Sequence, residues 1–175
     1  MPLDSSKLET GPANVYFDNV LLGYVGEGVV LHIETTATPL RGAQAGETPL
    51  DKVVTGGQVY CEVPLREITL PNIAKGIANA ILVTGAVSGT RVDITNRVGL
   101  SLRSIAKQLK LAKIKAGVES TLPADIYMFP YASAADAPVT IAFHPTNQRE
   151  IMVRFEVWPD ATTNRWGYIG DVAPV

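Results

Sequence analysis

The sequence predicts a mostly β, α+β fold: a β-sandwich or barrel of short antiparallel strands with one flanking helix. Three observations predict it. Apolar residues alternate at intervals of two in several separate segments. Turn residues punctuate those segments. Only one stretch carries the three-and-four spacing of an amphipathic helix.

Residues 1–13 are polar, contain Pro2, Gly11 and Pro12, and read as an extended arm. Val15-Tyr16-Phe17 and Val20-Leu21-Leu22 flank Asp18-Asn19, the signature of a tight hairpin, with Gly23 ending its second strand. In 27–35, Val29, Leu31 and Ile33 share one face, and Val30, His32 and Glu34 the other. Residues 36–55 lose all period and are rich in Gly and Pro. They are expected to form a long loop, which inside a compact domain is functional or disordered.

Strand character returns at 57–65, with Val59, Cys61 and Val63 on one face and Gln58, Tyr60 and Glu62 on the other. Leu70, Ile73, Ala74, Ile77, Ala78 and Ile81 then form an apolar stripe, predicting a helix over 70–82 with Thr69 or Leu70 as cap and Pro71 in the first turn. Its simplest role is a lid on the core; the alternative is an exposed partner-binding helix.

Residues 91–104 alternate again through Val92, Ile94, Val98, Leu100 and Leu102. Residues 105–116 suit a strand near 108–114 or a helix through Ile105, Leu109 and Lys113; the strand is favoured. A strand at 126–131 is interrupted by Pro130, and 139–143 with 150–158 read as a final pair. In the second of these, Ile151, Val153, Phe155 and Val157 oppose Met152, Arg154, Glu156 and Trp158. The tail, 159–175, holds Trp166 and Tyr168 but little period.

A length of 175 residues suits one domain with a real core, carrying the arm, the long connection and the tail as appendages. Charged residues are only 18% of the chain, against roughly a quarter in average globular proteins, which is expected when part of the surface meets another subunit. The 15 basic and 17 acidic residues leave no positive excess to grip phosphates. One cysteine permits no internal disulfide and no cysteine-based zinc site. No apolar run approaches a membrane span, and Met1-Pro2-Leu3-Asp4 lacks the basic start and apolar core of a signal peptide, so a soluble protein made in a cytosol is expected.

No residue set forms a catalytic constellation, and no cofactor or metal is expected. Cys61 sits among valines and reads as core rather than nucleophile. His32 and His144 are the only histidines, and no metal-ligand spacing joins them. The glycines of residues 23–28 are in the wrong order for a dinucleotide fingerprint and precede a strand rather than a helix. Arg103, Lys107, Lys110, Lys113 and Lys115 form a basic run without interleaved aromatics, which reads as a solvated or interfacial face, with the lysines outward or paired with acids.

The run from Thr10 to Leu70 resembles the N-terminal half of bacteriophage major tail tube proteins. The residues that carry the resemblance are Thr10-Gly-Pro-Ala-Asn-Val-Tyr-Phe17, Leu22-Gly23 and Gly28-Val-Val-Leu-His-Ile-Glu-Thr35. They continue with Gly46-Glu-Thr-Pro-Leu-Asp-Lys-Val-Val-Thr-Gly56 and Val59-Tyr-Cys-Glu-Val-Pro-Leu-Arg-Glu-Ile-Thr-Leu70. They cover about a third of the chain, and their order and spacing carry the likeness. The resemblance implies a virion component, made in the host cytoplasm, that forms hexameric rings stacked into a tube. DNA would pass through the tube non-specifically, and sheath, terminator and baseplate proteins would be partners. It implies that the connection 36–55, with Pro39, Leu40, Arg41, Glu47, Leu50 and Asp51, reaches the neighbouring ring. A channel for DNA should not hold phosphates, so Glu34 and Glu62, on the polar strand faces, are expected to line the lumen. Two alternatives stand beside this reading. One is a related ring-forming part: a tail terminator, a baseplate or neck component, or a secretion-system tube. The other is a ligand-binding β-sandwich, which would need an aromatic-lined groove.

Overall fold

The computed structural model describes residues 11–26, 28–41, 47–85, 89–141 and 149–170. Residues 1–10, Glu27, 42–46, 86–88, 142–148 (with His144) and 171–175 lie outside the described residues.

Among the described residues the fold is mostly β with one α-helix, as expected. β1 (Ala13–Phe17) and β2 (Val20–Leu21) form the predicted hairpin. Asp18 and Asn19 both take positive φ, 54° and 60°, the left-handed pair that matches the twist of a two-residue hairpin. β3 (Val30–Arg41) and β4 (Pro49–Leu65) pair antiparallel, and α1 (Leu70–Gly76) follows. β5 (Ala80–Thr84) and β6 (Thr90–Ile94) make a separate two-stranded sheet. β7 (Lys107–Lys115), β8 (Val118–Glu119), β9 (Ile126–Ala134), β10 (Ile151–Val157) and β11 (Tyr168–Ile169) complete the main sheet. Its order is β2-β1-β7-β9-β10-β4-β3, with β8 on β7 and β11 on β9.

The sheet curls so that strands far apart in its order face each other. Phe17 of β1 stacks on Phe155 of β10 with ring centroids 4.8 Å apart. Beyond β2, the chain turns at Gly23 and crosses to β4, where Val25 bridges Leu65 and Gly26 N–H donates to the Pro64 carbonyl. The inward faces are those the alternation assigned: Val59, Cys61 and Val63 on β4, and Ile151, Val153, Phe155 and Val157 on β10, are buried. Val15, Leu109, Leu111 and Phe129 close the core from the other strands.

Four expectations are corrected. The helix stops at Gly76. A Cβ there would meet Val153 Cγ2 at 2.7 Å, so glycine lets α1 lie directly on β10, and Ile77 is already extended. Thr69 caps the helix, its hydroxyl accepting from Asn72 N–H, and the buried Asn72 side chain donates to the carbonyls of Leu22 and Glu67. Beyond it, β-branched Ile81 and Val83 pair with β6. The alternation from Val98 to Leu102 is not a strand. Gly99 has positive φ, a turn joins Leu100 N–H to the Arg97 carbonyl, and Leu102–Ile105 is a 3-10 helix.

The expected pair of 139–143 with 150–158 lies partly outside the described residues; among those described, Ile141 bridges Ile151 antiparallel, and β10 lies between β4 and β9. Pro130 does not end β9, because a bulge sets Phe129 to Ala132 against Leu109 to Lys107 and absorbs the missing donor. The fourth correction, the connection 36–55, defines the candidate site.

Candidate functional site

The expected long loop is a β-ribbon. β3 continues to Arg41 and β4 begins at Pro49, with register shifts at Thr36/Ala37 and Leu40/Arg41. β10 covers β4 only from Val59 to Leu65, so from Gln58 outward β4 has β3 as its partner. Seven further residues at about 3.3 Å each carry the ribbon on the order of 23 Å past the barrel. Thr35, Thr36, Thr38, Val53, Val54 and Thr55 supply β-branched strand formers. Both faces meet solvent, which is why no alternation marks them. Pro39, Leu40 and Arg41 lie on β3, Leu50 and Asp51 on β4, and Glu47 in the turn; all are exposed. The ribbon is unusually apolar for a wet element: Leu50 is 68% and Val54 65% exposed, and Leu40 and Val53 are also open.

Where the ribbon joins the barrel, the outer face of β3, β4 and β10 gathers the expected lumen residues. Register sets His32 opposite Tyr60, Glu34 opposite Gln58, and Glu62 opposite Arg154. The His32 ring stacks on Tyr60 at 4.3 Å from the β3 side, and the Arg154 guanidinium lies 3.7 Å from the same ring centre from the β10 side. Tyr60 O–H donates to Glu34 Oε1 at 3.2 Å, and its ionisation is pushed up, first by desolvation and then by the charge of Glu34. His32 Nε2 is 3.8 Å from Glu62 Oε2, and Gln58 donates to Glu156 Oε1 at 3.4 Å. Glu34 and Glu62 therefore share one face, as the strand alternation required, with Glu156 beside them and Arg154 as the cation among three carboxylates. Arg154 and Glu156 joined this face only once β10 paired with β4, a neighbour relation that local pattern does not carry.

The basic run divides. Lys110 and Lys115 pair with Glu119 and Asp125, each at 2.8 Å, and Arg103 donates to the Pro159 carbonyl. Burial works to raise the Glu119 carboxyl, but hydrogen bonds from Lys110, Tyr16 and Asn14 bring it down to about 2. Lys115 and then Ser120 hold Asp125 below the usual carboxylate range. Lys107 is exposed at the opposite end of β7.

Cys61 is fully buried, and desolvation pushes its thiol up to about 12, as expected of a core residue. Among the described residues, no three His, Cys, Asp or Glu side chains gather to hold a metal ion, and no helix is long and apolar enough to cross a membrane. No protein-family model matches the chain, and no curated protein matches it.

Proposed function

We propose that the chain is the structural subunit of a phage tail tube, closing into hexameric rings that stack around a channel for DNA. The observation that carries this reading is the β3–β4 ribbon. It is a long, ordered, apolar element that leaves its own barrel and buries nothing on it. β3 is twelve residues long and, among the described residues, pairs with β4 alone, so its other backbone edge is open. Such an edge is an aggregation hazard in a monomer, and closure with neighbouring copies removes it. The resemblance of 10–70 to tail tube proteins supports the same reading. So does the acid-rich face of Glu34, Glu62 and Glu156, which suits a wall along which phosphates slide rather than bind.

A ligand-binding sandwich, which needs an aromatic-lined groove, fits less well: the half-buried Tyr60 is already packed between His32 and Arg154, and Tyr24, 81% exposed, lines a groove with no second aromatic among the described residues. Negative-stain microscopy of the purified protein, paired with gel filtration over a range of concentrations, tests the proposal. Hollow filaments of stacked rings are expected. Single rings that never stack would move the assignment to a terminator or neck ring, and a strict monomer at high concentration would overturn it.

A further inference from the structure

A groove of about 520 Å³ opens between α1, β5 and the ends of β1, β7 and β9. Its walls are aliphatic. Ile77 and Ala78 follow α1, Ile81 and Leu82 lie on β5, and Ile105 ends the 3-10 helix. Ile81 is 42% and Leu82 39% exposed, so this wall is open to solvent. Three cations, Lys75, Arg97 and Lys107, converge on the groove against one carboxylate, Asp18. Other cations of the fold are paired: Arg66 with Glu150, Arg91 with Asp93, Lys110 with Glu119 and Lys115 with Asp125. Among the described residues, none of the three groove cations is in ion-pair contact with a carboxylate. Lys75 is half-buried, and desolvation holds its ammonium below the usual lysine value, although Asp18 acts the other way. An anion entering the groove would offset that cost.

The volume falls within the roughly 300–1,000 Å³ of small-molecule sites. The one aromatic ring in its lining, Phe17, is 7% exposed and already stacks on Phe155, so a planar base finds no stacking platform. Aliphatic walls beside unpaired cations suit a ligand with an aliphatic body and an anionic head.

We propose that this groove binds a free aliphatic carboxylate, its chain along Ile77, Ile81 and Leu82 and its head group toward Lys75, Arg97 and Lys107. Burial of the chain supplies affinity, and the cations select the charge. The inference stands apart from the assembly reading, since the site belongs to one chain.

Dodecanoate below its micelle concentration, titrated into the full chain by calorimetry, tests it. Saturable binding at one site per chain is expected. Dodecanol keeps the chain and lacks the charge, so it should bind at least about tenfold more weakly. Arg97→Gln with Lys107→Gln, both at exposed positions, should weaken dodecanoate about tenfold and dodecanol little, and Lys52→Gln on the ribbon should weaken neither. Placement is read separately: a diazirine-bearing fatty acid, photolysed on the wild type, should label residues 70–82 or 102–107 in mass spectra. Absent saturable binding, equal affinity for dodecanoate and dodecanol, or label confined to the ribbon would overturn the proposal. Groove variants that shift sedimentation but leave dodecanoate binding intact would also overturn it, and would give the groove to a second copy. Attachment to anionic phospholipid vesicles without binding of free dodecanoate would overturn it in favour of a lipid surface. Loss of the site by any of these outcomes leaves the tube reading intact.

Discussion

Glu119 shows how single residues hold the barrel wall together. Its carboxylate accepts from Asn14 and Tyr16 on β1 and from Lys110 on β7, so one side chain ties three strands together. Because its folded pKa of about 2 lies below the ordinary value of 4.5, its stabilisation is complete above pH 4.5 and is lost as pH falls toward 2. Glu119→Gln should therefore flatten the acid limb of stability, read as the urea midpoint at pH 2 to 6, and lower that midpoint at neutral pH. In the core, Phe155 is fully buried and stacks on Phe17. Phe155→Ala should lower unfolding free energy by about 3–5 kcal/mol in denaturant titrations, since it removes both the transfer term and the packing across the curled sheet. These inward residues were legible in sequence, because one dry face and one wet face force the period of two that Val59, Cys61, Val63 and Ile151 to Val157 display. The partners of Glu119 were not legible. Asn14 and Glu119 are 105 residues apart in sequence and meet only through strand pairing.

At the scale of elements, the errors share one cause: spacing informs only where a face is buried. The stripe Leu70 to Ile81 has helical steps, yet Gly76 ends the helix and Ile81 belongs to β5. Val98, Leu100 and Leu102 alternate by two, but Val98 is 90% exposed and lies within a turn rather than in a sheet. The ribbon fails in the opposite sense: it is regular structure without alternation, since neither face is dry. It follows that the ribbon is dispensable to the monomer. Replacing residues 37–55 by a two-residue Asn-Gly turn, which keeps Thr36 opposite Gly56, should change the unfolding midpoint little, as no described residue of that segment is buried, and should abolish stacking. Urea melts and sedimentation velocity on the same sample check both halves. A large loss of stability would mean that the ribbon packs against the body.

For the whole molecule, the division of charge matters more than its sum. The chain is nearly neutral, with net charge −2, yet carboxylates gather on the outer face of β3, β4 and β10, while Lys75, Arg97 and Lys107 line a groove between α1, β5 and β7. If the acidic face lines a bore, Glu34→Lys with Glu62→Lys should leave filaments intact in micrographs and make them retain DNA. Fluorescence anisotropy of a labelled duplex should show binding to this variant that weakens steeply with salt, and none to the wild type. Filaments whose wild-type bore already holds DNA would sink the lumen assignment.

The paired state of the ribbon also bears on how fast subunits could join. A floppy connection would surrender about 1–2 kcal/mol of backbone entropy per residue at the moment of docking. Here the β3–β4 hydrogen bonds have settled that cost during folding of the single chain. Incorporation should then run at the pace of collision and orientation between rigid bodies, with no wait for a segment to fold on its neighbour.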